Sequence, residues 1–232
     1  MPATEDLLGP IHKGIRSMIY TLGTQLQSTD FSDATAANRV LDQMYHEFSA
    51  ATSTGCILCL LHSHAGDEEG GVLPAARAFE PALVEALLRE HHEILQRLVR
   101  IGRMADEIRQ APTPEERVRH GVVLNREANS FFAYYLAHMN REEEQLTPAM
   151  QAHMTDDQLR ALRAKVQAGM DRQRLATFME WVLPSLNVNE LAGMFAGLRR
   201  GAPPEQLAFM TGIAAAHVPP ERWAEARARA GL

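Results

Sequence analysis

Two stretches decide the reading: His64-Ala65-Gly66-Asp67-Glu68-Glu69-Gly70-Gly71-Val72-Leu73-Pro74 and His138-Met139-Asn140-Arg141-Glu142-Glu143-Glu144-Gln145-Leu146-Thr147-Pro148. Each is a His-x-x-x-Glu pair with a proline ten residues after the histidine. On a helix, residues i and i+4 lie one turn apart on one face, with about 6 Å between their Cβ atoms. An imidazole nitrogen and a carboxylate oxygen so placed can meet one metal ion, or the carboxylate can bridge two. One such pair is weak evidence, because most are solvated helix surface. Its repetition, with the same late proline, is the stronger signal.

Outward from these pairs, two more histidines fall on apolar seams. Leu8, His12, Ile15, Ile19, Leu22 and Leu26 follow spacings of 4, 3, 4, 3, 4, and so do Leu87, His91, Ile94, Leu98, Ile101 and Ala105. Each histidine replaces an apolar residue on a core-facing stripe. The neighbouring His92 makes a poorer seam, since its line runs through Gly102 and Asp106, and His91 is preferred. The expected metal ligands are therefore His12, His64, Glu68, His91, His138 and Glu142. Burying these groups without a neutralising cation costs several kcal/mol or more, which favours a metal pair. Imidazole and carboxylate without thiolate favour iron or manganese over structural zinc.

The spacing predicts helices nearly everywhere, with almost no period-2 alternation. Segment A covers about Thr4 to Gln27, segment B Ser32-Asp33 to about Pro74, and segment C Pro81 to about Gln110. Segment D opens on Thr113-Pro114-Glu115-Glu116, a cap, a first-turn proline and a capping-box glutamate, and runs to about Pro148. This predicts an all-α, up-down-up-down four-helix bundle over residues 1–152, with a C-terminal helical extension over 153–232. Breaks are expected in the extension at Pro184, Gly201 to Pro204 and Pro219-Pro220. Trp181, Phe195, Phe209 and Trp223 give it apolar content for packing on the bundle or in a homodimer. Gly66, Gly70 and Gly71 are expected to loosen or break segment B just past its ligands.

The remaining polar residues have plainer readings. Glu69, Glu143 and Glu144 read as a solvated face, and His46, His120, His153 and His217 as surface or satisfied core. Tyr134, one turn before His138, reads as core or as a hydrogen-bonding neighbour of the ligands. Cys56, Cys59 and His62 stand three residues apart, and small buried residues are preferred over a zinc site. Two cysteines give no disulfide framework, which reads as a reducing, cytoplasmic setting. Among 232 residues the net charge is −6, which argues against nucleic acid as the main partner. No run of about 18 apolar residues argues for a membrane span, and no signal peptide stands out near the start.

These residues resemble the hemerythrin/HHE cation-binding family over about residues 5 to 150. The likeness is carried by Ile11-His12-Lys13-Gly14-Ile15-Arg16, His64-x-x-x-Glu68 to Pro74, the Glu90-His91 step, and His138-x-x-x-Glu142 to Pro148. The resemblance implies a four-helix bundle holding two iron ions, with manganese or zinc as substitutes, bridged by Glu68 and Glu142. It also implies an open position for a small diatomic such as O2 or NO. One departure stands out. The oxygen carriers of the family are expected to have a second histidine one turn after the ligand of segment C, where this chain has Leu95. Two functions follow: a di-iron module that binds or senses O2, NO or iron itself, and a di-iron redox enzyme that reduces NO or peroxide or repairs iron–sulfur proteins. A structural metal bundle is the third reading.

Overall fold

The computed structural model describes residues 4–45 and 56–232, and most of those residues are helical, with no strand among them. Helix α1 spans Gly9–Ser28, α2 Ala34–Met44 and α3 Ile57–Asp67. α1 starts later than the apolar pattern suggests. Pro10 suits a first helical turn, where no N–H is needed, and the backbone before it is held elsewhere: Thr4 and Glu5 donate their N–H groups to Asp156 Oδ1 at 2.7 and 2.8 Å. The Asp33 carboxylate caps α2, accepting from the N–H groups of Thr35 and Ala36.

Segment B is not one helix over its described part. Tyr45 is extended (φ −149°, ψ 123°) directly after α2, and Cys56 is extended (φ −131°, ψ 151°) directly before α3. His46 lies outside the described residues. The extended Cys56 brings its Cα to 5.1 Å from that of Cys59, and the two are joined by a disulfide, within the usual span for such a bond. This corrects the expectation of two unpaired thiols. The zinc reading goes with it, since both sulfurs are engaged and His62 is exposed.

Past α3 the helix widens instead of breaking. Glu68–Val72 is a π turn, closed by the Leu73 N–H donating to Glu68 O, and α4 continues as Leu73–Ala76. The glycines are not the cause. A matching π turn occupies Glu142–Leu146, closed by Thr147 N–H to Glu142 O, in a stretch free of glycine. Both turns share a proline, Pro74 or Pro148. A proline inside a helix supplies no N–H to the carbonyl four residues back, and its ring crowds that carbonyl. One extra residue in the preceding turn relieves the clash, and such turns recur at functional sites.

α5 runs Pro81–Gln110 and α6 Pro114–Arg141, packed against each other and joined by three residues. Thr113 Oγ1 accepts from the Glu116 N–H at 3.2 Å, while the Glu116 carboxylate pairs with Arg119. α5 buries Val84, Leu87, His91, Ile94, Leu98, Ile101, Ala105 and Ile108. Each large apolar member contributes about 1.5–3 kcal/mol on burial, so slipping this helix by one residue is costly and the orientation of His91 is fixed by its neighbours. α7 covers Thr147–His153 and α8 Asp156–Ala168. Leu8, Val72, Leu73, Leu87, Leu146, Met150 and Leu159 pack together beside the two π turns.

The chain divides into two compact units. The first comprises Met18–Met170 with the N-terminal residues up to Leu8, the second Gly9–Ser17 with Asp171–Leu232. In the second unit α9 is Arg172–Ser185, α10 Val188–Gly201, α11 Pro204–His217 and α12 Pro220–Ala230. Its core holds Leu183, Leu191, Phe195, Ala214 and Trp223, with Phe195 and Trp223 in edge contact at 4.7 Å between ring centroids. Lys13 forms an ion pair with Glu190. Phe209 is only partly buried there.

Gly121 gives a test of the packing. A Cβ at this position would sit 2.4 Å from the Phe31 ring, and Phe31 is itself buried. Gly121→Val should therefore destabilise by roughly 1–3 kcal/mol through overpacking. Gly193→Ala in α10, where an added Cβ meets nothing within 4 Å, should be neutral or stabilise by up to about 1 kcal/mol. If urea denaturation shows Gly121→Val to be at least as stable as the parent, the contact with Phe31 is wrong.

Candidate metal centre

The centre in the first unit is built from α3, α5, α6 and the two π turns. His64 lies on α3 and Glu68 opens the first π turn. His91 sits mid-way along α5, His138 near the end of α6, and Glu142 opens the second π turn. All five side chains belong to residues no more than 5% exposed. His64 Nε2 is 3.3 Å from Glu68 Oε1. His138 Nε2 is 3.2 Å from Glu142 Oε1. His91 Nε2 lies 3.4 Å from Glu68 Oε2 and 3.8 Å from Glu142 Oε1.

The two imidazoles that face each other carry the argument on chemistry. His91 Nε2 and His138 Nε2 are 3.1 Å apart. Their other nitrogens point away, each to a carboxylate: His91 Nδ1 to Glu69 Oε1 at 3.1 Å and His138 Nδ1 to Glu90 Oε2 at 2.8 Å. Glu90 is held in turn by an ion pair with Arg141. A carboxylate accepts, so each Nδ1–H donates and each neutral ring aims the Nε2 lone pair inward. Two inward lone pairs this close, beside two buried carboxylates, repel one another unless a cation is shared among them.

A metal also fits by distance. Ligand atoms at right angles around a metal, with bonds of about 2.1 Å, stand about 3 Å from one another. The N···O and N···N separations here run from 3.1 to 3.8 Å. Glu68, His91, His138 and Glu142 each offer an atom within 4.8 Å of all the others, and so do His64, Glu68 and Glu142. These two sets overlap at both glutamates.

In the protein without a cation, protons take the metal's part. Burial pushes the His91 ring toward neutrality, but hydrogen bonds and charge from Glu142 and Glu68 outweigh it and raise His91 to about 10. For His138 burial is again opposed, by Glu142 and by the hydrogen bond to Glu90, and the result is about 9.

His12 is fully buried, on the stretch of α1 that belongs to the second unit. His92 is exposed. Tyr134 is a correction: it is only partly buried, and its ring lies under the Arg97 guanidinium at 4.6 Å. Its neighbour Tyr135, three residues before His138, is the buried tyrosine. It donates from Oη to Leu61 O at 3.1 Å and meets the His138 ring edge-on at 6.0 Å. Glu69 is half exposed, yet it is not a mere solvated side chain, because it orients His91. Among the other histidines, His120 lies 3.6 Å from Glu107, His153 stacks on Phe79 and His217 lies 4.0 Å from Glu180.

Sequence reading missed Glu69 and Glu90 as orienting groups. The signal was their position one residue from a ligand, Glu69 after Glu68 and Glu90 before His91. Such a neighbour lies about 100° round the helix, where it faces the next helix instead of the centre.

Residues 6–150 match the model of the hemerythrin HHE cation binding domain. The chain belongs to the hemerythrin HHE cation-binding family. No curated protein and no solved structure matches it. In this HHE chain the family match spans α1 through most of α7, and so covers every candidate ligand described above. Family and buried His/Glu groups together support a metal cofactor. Among the described residues no helix is long and apolar enough to cross a membrane.

Proposed function

We propose that the chain binds two iron ions on His12, His64, Glu68, His91, His138 and Glu142, and that the pair takes up a small diatomic such as O2 or NO. The observation that carries this reading is the overlap of two buried ligand sets at the same two carboxylates. A shared carboxylate can span two metals, whereas two separate mononuclear sites would keep their acids apart. His12 enters as the sixth ligand because it is buried and stands on an apolar seam. Manganese or zinc would serve as substitutes, with the same hard and borderline donors.

An open site is supported by coordination number. Four histidines with one bond each and two bridging carboxylates with two each supply about eight bonds, while two octahedral ions need about twelve. When bound, the metals would supply redox and Lewis-acid chemistry at the remaining positions. The protein's own part is to orient the ligands and limit access. A cavity of about 290 Å³ reaches His91 between α3 and α5, lined by Ala65, Gly66, Glu69 and Leu95 among others. Leu95 stands where the family's oxygen carriers are expected to have a further histidine, so this side of His91 keeps room. Ile94, Leu98 and Phe131, all buried nearby in the same unit, suit a small uncharged ligand.

Protein expressed with added iron should carry two metals per chain by elemental analysis. Azide on the oxidised form, and NO or O2 on the reduced form, should change the near-ultraviolet and visible spectrum. One metal or fewer per chain defeats the dinuclear reading. A fully loaded protein that stays spectrally inert to all three leaves only a structural metal site.

A further inference from the structure

We propose that Cys56 and Cys59 form a reversible dithiol–disulfide couple that exchanges two electrons with small thiols and peroxides. The couple sits at the head of the helix that carries His64, and its chemistry stands independently of the metal reading.

Two observations support it. The sulfurs are joined across a sequence separation of 3. A cross-link stabilises a fold mainly by restricting the unfolded chain, and the effect shrinks as the closed loop shortens, so this spacing makes a poor staple. The same Cys-x-x-Cys spacing is the one at which thiols exchange readily. Second, Cys56 is the N-cap of α3, and its Sγ already accepts the Cys59 N–H at 3.1 Å. That bond, with the helix dipole at the start of α3, favours negative charge on this sulfur. Both residues are only 2% exposed, so any exchanging partner must be a small molecule.

The chemistry balances with partners of simple class. For reduction, a thiolate of a small dithiol attacks Cys59 Sγ, the Sγ–Sγ bond breaks, and Cys56 leaves as the thiolate held at the helix start. The second thiol of the reductant then attacks the mixed disulfide. It releases Cys59 and closes the reductant's own disulfide, so two electrons have passed to the protein. For oxidation, the Cys56 thiolate attacks hydrogen peroxide and the O–O bond breaks, leaving a sulfenic acid and hydroxide. Cys59 attacks the sulfenyl sulfur, the sulfenic hydroxyl leaves as water with the Cys59 thiol proton, and the disulfide is restored.

The test uses the full chain under native conditions. Protein treated with dithiothreitol, then quenched with N-ethylmaleimide in denaturant, should gain two labels by intact mass. After the reductant is removed, one equivalent of hydrogen peroxide should return the count to zero with the protein still monomeric on a non-reducing gel. In single variants treated with peroxide and dimedone, Cys59→Ser should be trapped at Cys56 at least about tenfold faster than Cys56→Ser is trapped at Cys59. A disulfide that dithiothreitol opens only after unfolding is a permanent staple and overturns the proposal. So do reduced thiols that peroxide drives to overoxidation or to intermolecular dimers, and so do equal trapping rates in the two variants.

Discussion

His91→Ala should cost the chain most of its metal, while His92→Ala leaves the content unchanged. His91 Nε2 lies within 3.8 Å of Glu68, His138 and Glu142 ligand atoms, whereas His92 is exposed one residue along the same helix. Changes to groups that merely orient a ligand typically cost about 10- to 100-fold in metal affinity, so losing the ligand itself should cost more than about 100-fold. The two acids would then share the pocket with one imidazole fewer. Like charges left together in a buried site are unfavourable, so the thermal midpoint should fall as well. Metal analysis after dialysis against a weak chelator checks the first point, and a thermal scan the second. Full metal retention in His91→Ala, or loss in His92→Ala, would mean that α5 is rotated by about one residue from the register described.

Chelation should lower the melting temperature, and by more at pH 8 than at pH 6. Without metal, His91 and His138 are protonated at neutral pH, held near 10 and 9 by the carboxylates of Glu68 and Glu142. Both values lie above the unfolded value of about 6.5, so this ion pairing stabilises the metal-free fold fully below about pH 6.5. The stabilisation is lost as the pH rises through about 9 and 10. Metal needs the same nitrogens unprotonated, so loading expels protons and tightens as the pH rises. The metal's contribution therefore grows over the range where the proton's contribution fades. At a thousandfold excess over Kd, binding to the native state alone adds about 4 kcal/mol. For a chain of this size that is about 8–16 °C, at roughly 2–4 °C per kcal/mol. Calorimetry with and without chelator at the two pH values measures it. Superimposed melts at pH 8, or a metal effect that shrinks from pH 6 to pH 8, would contradict the centre as built.

Much of the architecture was legible because helices are local objects. The α5 boundaries follow from Pro81 and from an apolar stripe that continues to Ile108, and the structure has the helix at Pro81–Gln110. The pairs His64/Glu68 and His138/Glu142 needed only the helical repeat to be placed on one face. The late prolines were legible as a marker but not as a cause. Their effect on the backbone is a widened turn, and glycine composition pointed to the wrong mechanism for it.

Other features depended on partners far away in sequence. Glu69 reaches His91 across 22 residues and Glu90 reaches His138 across 48. No periodicity within either helix encodes such a pairing, because it is set by how far one helix slides along the other. Tyr135 replaces Tyr134 beside His138 for the same kind of reason. A tyrosine four residues before a ligand shares its face in isolation, but the side chain that is buried is the one the neighbouring helix covers, and α3 receives Tyr135 at Leu61 O. The cysteines paired because Cys56 is extended where segment B read as helix. By itself, then, the sequence determined an all-α chain and the pairing of His64 with Glu68 and of His138 with Glu142, since both rest on contacts three or four residues apart. Only the tertiary structure decided which acids orient the ligands and which nitrogen of His91 and His138 faces inward, since these are contacts between helices whose relative register no single segment contains.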